Sequence, residues 1–70
     1  MKFTDISAAR AIRAFSKAGF RVIRDRGNHT IMARDKDIIS IPRHKRLNPF
    51  TLKSIIKDAE LTEEEFRDLL

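Results

Sequence analysis

The residues best suited to moving a proton near neutral pH are two histidines, His29 and His44. His29 follows Gly27-Asn28, a pair suited to a primed hairpin turn, so its ring is tethered at a bend rather than carried on a mobile loop. Arg24 and Arg26 stand close by in sequence. An imidazole so placed can take a proton from a ribose 2′-hydroxyl or return one to a leaving oxygen. The guanidinium groups can stabilise charge on a pentavalent phosphate. His44, in Pro42-Arg43-His44, is a second candidate, as acid partner or phosphate contact. The plain alternatives are a turn residue at position 29 and a loop histidine capping a backbone carbonyl at position 44. Other chemistries lack their residues. Without Cys there is no thiolate nucleophile, no thiolate zinc site and no disulfide framework. No H-x-x-x-H spacing, G-x-S-x-G elbow or P-loop occurs, so neither a metal nor another cofactor is expected.

Charge points to the partner. The 70 residues carry a net charge of +5, unevenly spread. Residues 1–57 hold a net +10, whereas residues 58–70 hold a net −5. A basic body of this kind favours a polyanion. Arg10, Arg13 and Lys17 recur on one side of a first helix, and Arg43, Lys45 and Arg46 form a basic loop. Either group alone reads as a solvated face; together with Arg21, Arg24 and Arg26 they form a surface for RNA phosphates. The five Phe residues fall at helix-face, strand or cap positions and read as core. That predicts recognition of RNA backbone and shape rather than base stacking. DNA by itself is not an expected partner, because a final helix carrying Glu63, Glu64, Glu65 and Asp68 would be repelled by the duplex. No apolar run approaches the roughly 18 residues of a membrane span. The start at Met1 carries no signal-peptide apolar region, so a cytoplasmic protein is expected.

The elements that must position these side chains read as one domain over residues 1–70. A helix from Ile6 to Ala18, capped by Asp5 or Thr4, gathers Ala8, Ala11, Ile12, Phe15 and Ala18 on one side. Gly19 suits its left-handed end. Strands follow at 20–26, 29–34 and 37–42, with Asp35-Lys36 as the second turn. Two-residue turns put Phe20, Val22, Ile31, Ala33 and Ile38 on one face and Ile23, Met32, Ile39 and Ile41 on the other. Two apolar faces exceed what one helical layer covers: either a loop length is wrong, since a one-residue slip exchanges faces, or the second face meets another chain. Asn48-Pro49 starts a helix with the stripe Leu52, Ile55, Ile56, Ala59, and Thr62 with Glu65 forms a capping box for a last short helix. The expected fold is α+β, an α-β-β-β-α two-layer domain with a short extra C-terminal helix.

Read in order, Gly19-Phe20, Arg24, Gly27-Asn28-His29, Ile41-Pro42-Arg43-His44 and the run from Thr51 to Ala59 resemble the HicA toxins. The resemblance implies a double-stranded-RNA-binding-like fold, messenger-RNA interferase activity and a cognate HicB-type antitoxin as partner. It maps the family's catalytic Gly-Ser-His histidine onto His29, with Gly27 as turn glycine, and its P-x-H histidine onto His44. Asn28 replaces the usual Ser, and Thr30 a frequent second His. Two readings compete with the nuclease: a non-catalytic RNA-binding module of the same fold, and a protein adaptor using the second apolar sheet face.

Overall fold

A computed structural model describes residues 3–70; Met1 and Lys2, the start of the expected unit, lie outside it. The order is α1 (Ala8–Lys17), β1 (Arg21–Arg26), β2 (His29–Arg34), β3 (Asp37–Pro42), α2 (Pro49–Asp58) and α3 (Glu63–Leu69). The strands form one antiparallel sheet in the order β1-β2-β3, and the helices cover one of its faces, giving the α+β architecture expected. Among the described residues no helix is long and apolar enough to cross a membrane.

α1 begins later than Ile6, and its cap is Ser7 rather than Asp5 or Thr4: Ser7 Oγ accepts the Arg10 N–H at 3.1 Å. The reason lies in the loop beside it. Ile6 is buried and its carbonyl accepts the Leu47 N–H at 2.7 Å, so residue 6 is committed to the 44–47 segment. Ala8, Ala11, Ala14 and Phe15 form the buried side of α1, with Ile12 and Ala18 only half-buried at its margins. At the far end Gly19 has φ 101°, and Phe20 and Gly19 donate N–H bonds back to Phe15 and Ser16, each at 3.0 Å. The Phe15 and Phe20 rings meet edge to face at 5.8 Å, completing the hydrophobic contact of this helix-ending motif. α2 is capped by Asn48 and led by Pro49, and its stripe of Leu52, Ile55, Ile56 and Ala59 is buried throughout, as expected. α3, too short to be stable alone, has the Thr62–Glu65 capping box and is anchored by Phe66, whose ring lies 5.5 Å from Phe3 and 4.9 Å from Phe15.

Both hairpin turns have two residues, yet the expected faces hold only in part. Arg26 pairs with His29 and Arg24 with Ile31, but a bulge at Ile23 then brings Val22 opposite Met32 instead of Ala33. One extra residue exchanges the faces of everything before it. Phe20 and Val22 therefore turn toward the helices with Met32, Ile39 and Ile41. Ile23 joins Ile31, Ala33 and Ile38 on the open face, where Ile23 is 54% and Ile38 63% exposed. The expected error in a loop length is not found: both loops keep two residues, and the slip lies within β1.

Arg34, the last residue of β2, ties the layers together. Its Nη1 donates to the Ala18 carbonyl at 2.9 Å and its Nη2 to the Ala59 carbonyl at 3.0 Å, so one guanidinium caps the C-termini of both α1 and α2. The same group lies over the Phe20 ring at 4.6 Å and 3.9 Å from the Asp37 carboxylate. With both C-termini gathered there, α1 and α2 run side by side in the same direction, and both N-termini lie at the opposite end, near the β1–β2 turn.

Glu60 ends α2 at φ 59°, in the position glycine fills after α1. Its carboxyl is held above the usual glutamate value, chiefly by a hydrogen bond with Asp37 and then by that neighbour's negative charge, against the pull of Lys36 and Arg34. A carboxyl raised in this way adds stability that is complete below its unfolded value and lost as the pH rises through the folded one. Glu60→Gln should thus raise Tm at neutral pH, and the gain should vanish below about pH 4, where an ordinary glutamate is protonated. For the clamp, Arg34→Ala should cost about 3 kcal/mol, the worth of two hydrogen bonds from a charged donor. Arg34→Lys should recover less than half, since an ammonium lacks the planar fork that spans two carbonyls. Urea denaturation with an unchanged slope measures both.

Candidate functional site

His29 opens β2 on the open face of the sheet. Its cross-strand neighbours are Arg26 on β1 and Pro42 on β3, and Arg24 lies on the same face opposite Ile31. The ring is exposed and has no hydrogen-bond partner among the described residues, and Arg21, Arg24 and Arg26 have no acidic partners there. Ile23, Arg24, Arg26, Ile31 and Ile38 line a shallow trough of about 430 Å³ beside it. The site is thus an accessible imidazole at one end of a trough that is apolar along its floor and cationic at its rim.

The backbone under the ring is braced from the other side. Gly27 has φ 54° while Asn28 stays out of the left-handed region, the pattern of a turn with glycine first. The Asn28 carbonyl accepts the Arg43 N–H at 2.7 Å, and Arg43 Nη1 donates to the Gly27 carbonyl at 3.4 Å while standing 3.8 Å from Asp25 Oδ1. Thr30 Oγ1 donates to Asp25 Oδ1 at 3.0 Å on the helix side of the sheet, where Thr30 is 3% exposed. Arg43 therefore faces the turn, holding the loop that carries the histidine.

The remaining candidates divide by layer. His44 comes to the same end of the molecule as His29, because Pro42 pairs with His29 and the His44 carbonyl accepts the Ala8 N–H at 3.0 Å. His44, however, lines a groove with Ser7, Ala8, Ala9, Ile12, Arg43 and Lys45, on the helix side, and the two imidazoles share no hydrogen bond. Arg10, Arg13 and Lys17 are exposed on the outer side of α1, across the sheet from His29. Arg46 reaches back to Asp5, Nε to Oδ1 at 2.9 Å, whereas Lys45 has no acidic partner. Among the described residues no three His, Asp or Glu side chains come together as a metal site would need.

Two residues escaped the sequence reading. Four of the five Phe residues are core, but Phe50 is 79% exposed. Its signal was available: it lies off the Leu52–Ile55–Ile56–Ala59 stripe. Ile23, which supplies part of the trough floor, had none, because a bulge leaves no mark in a short alternating run.

The model of a family described as the HicA toxin of bacterial toxin-antitoxin matches residues 8–61 of the 70, from the first residue of α1 to just beyond α2. The chain belongs to the HicA toxin family. A search of curated proteins finds no match. As a HicA toxin the protein is the toxic member of a toxin–antitoxin pair, and its family implies a HicB-type antitoxin partner. Its departures from the family motif now have positions. Asn28 serves the turn through its carbonyl, which any residue would supply. Thr30 faces the helices, so a histidine in that register would point away from the trough rather than stand in for His29 as an alternative base.

Proposed function

We propose that this HicA toxin is an endoribonuclease acting on messenger RNA in the cytoplasm, with His29 as general base. One observation carries the reading: an accessible imidazole, free of protein hydrogen bonds, stands on a braced turn beside Arg24 and Arg26. In this reaction His29 takes the proton of a ribose 2′-hydroxyl and the freed oxygen attacks the neighbouring phosphorus. The bond from phosphorus to the 5′-oxygen breaks, and that oxygen takes a proton from water as it leaves. Arg24 and Arg26 stabilise the doubly charged phosphorane between these events. The scheme requires no metal. Arg21, Lys45 and the positive ends of the two parallel helices add to the attraction for phosphate, and Arg43 holds the turn. Arg10, Arg13 and Lys17, on the far layer, serve a distal part of the strand.

The same lack of protein hydrogen bonds favours a second reading, the non-catalytic RNA-binding module, since no group orients the ring of His29. The cationic rim is common to both, so binding alone does not separate them. The trough's apolar floor, open to water, suits the antitoxin: a HicB-type chain lying over Ile23, Ile31 and Ile38 would seal His29 from RNA.

Purified toxin should cut single-stranded RNA in EDTA. His29→Ala should fold normally and lose at least the 10²- to 10⁴-fold typical of a general base. Binding that weakens steeply with salt, with no strand scission by the wild type, would instead establish the module. On mixing with antitoxin, hydrogen exchange should slow across residues 24–32; unchanged exchange there would place the inhibitor elsewhere.

A further inference from the structure

Phe50 is the aromatic the core leaves out. Phe3, Phe15, Phe20 and Phe66 are each no more than 3% exposed, whereas Phe50 is 79% exposed and meets no other ring. Helix geometry puts it there: at 100° per residue it lies about 160° from Leu52, on the outward side of α2. Lys53 and Lys57, three and seven residues on, share that side, and neither has an acidic partner. Thr4, Pro49 and Lys53 complete with the ring an almost wholly apolar cleft of about 280 Å³.

A single exposed aromatic is ordinary on a protein surface. The surroundings of this one are less so. It stands in the first turn of α2, directly after the basic loop, in a segment of net charge +10 over residues 1–57. The 43–48 loop joins Pro42, the neighbour of His29, to the cap of α2, so Phe50 lies at the same end of the molecule as the imidazole. Lysines are depleted in the cores of protein–protein interfaces, where an apolar anchor for a protein partner would sit. Flanking cations suit a ligand that is flat and apolar in one part and anionic in the next.

We propose that Phe50 is a stacking platform for one unpaired nucleobase of the RNA strand, with Lys53 and Lys57 meeting the adjoining phosphates. The inference rests on the RNA-binding reading above and adds a base contact to a surface that otherwise meets backbone. Because every base has a π-face, such a platform holds a strand without choosing its sequence.

The chain has neither Trp nor Tyr, so Phe50→Trp introduces a single indole. The probe is a 2′-O-methyl single-stranded oligonucleotide, which binds without being cut. Its bases should quench the indole emission, and an abasic strand of equal length should not. Phe50→Leu, apolar but without a π-face, should weaken binding of the oligonucleotide about 5- to 150-fold with the salt dependence unchanged. Equal affinity in the Leu variant, equal quenching by the abasic strand, or an indole that responds only to the antitoxin would each overturn the proposal. If the wild type fails to bind the oligonucleotide, the RNA reading falls and this proposal with it. If the wild type binds and the Leu variant is indifferent, the stacking platform alone falls.

Discussion

One guanidinium holds the C-terminal ends of two helices together in this fold. Two helices lying side by side in the same direction gather two sets of unpaired carbonyls and two negative dipole ends at one place, an arrangement that repels itself. Arg34 neutralises both by donating to Ala18 and Ala59 at once, and its guanidinium lies over the Phe20 ring. At the far end the N-termini of α1 and α2 are tied together in turn, through the bonds from Leu47 N–H to Ile6 and from Ala8 N–H to His44. β2 links the two ends directly: Arg34 is its last residue and His29 its first, about 17 Å away at the usual rise of a strand. A single strand thus joins the clamp at one end of the molecule to the candidate site at the other.

At that far end a surface histidine is held without any hydrogen bond through its ring. The constraint comes from the backbone beneath it: Gly27 supplies the turn, Arg43 bonds two of its carbonyls, and Asp25 with Thr30 fills the helix side. Exposure and positioning usually oppose one another, since a side chain is fixed by burying it. Here they are divided between two faces of the same strand, with residue 30 giving anchorage and residue 29 left exposed.

Much of this was legible in the sequence because the deciding interactions are local. The Asn48 and Thr62 caps, the capping box, the glycine that ends α1 and both two-residue turns depend on residues within a few positions of one another, and each stands where the pattern put it. What the pattern missed is non-local. The cap of α1 moved to Ser7 because Leu47, forty residues on, claims the Ile6 carbonyl. The bulge at Ile23 reflects the fit of β1 onto β2 beneath the helices, which no alternation encodes. Arg34 reads as one more cation in a basic chain, and only the meeting of two distant helix ends gives it its role. The candidate site followed the same division: His29 came from a turn motif, whereas the separation of His44 and of the Arg10–Arg13–Lys17 stripe from its face is a matter of layers.

The outer rim of β1 remains without a neighbouring strand, and every residue along it is exposed. A bare rim of this kind invites a like rim from another copy of the chain. Two features oppose such pairing: the kink at Ile23, which leaves only a short straight stretch of backbone to offer, and Arg21, Arg24 and Arg26, whose charges would be stacked against their counterparts. The second safeguard is electrostatic and fades as ions screen it. Any barrier to such edge-to-edge pairing therefore depends on the salt environment as well as on the shape.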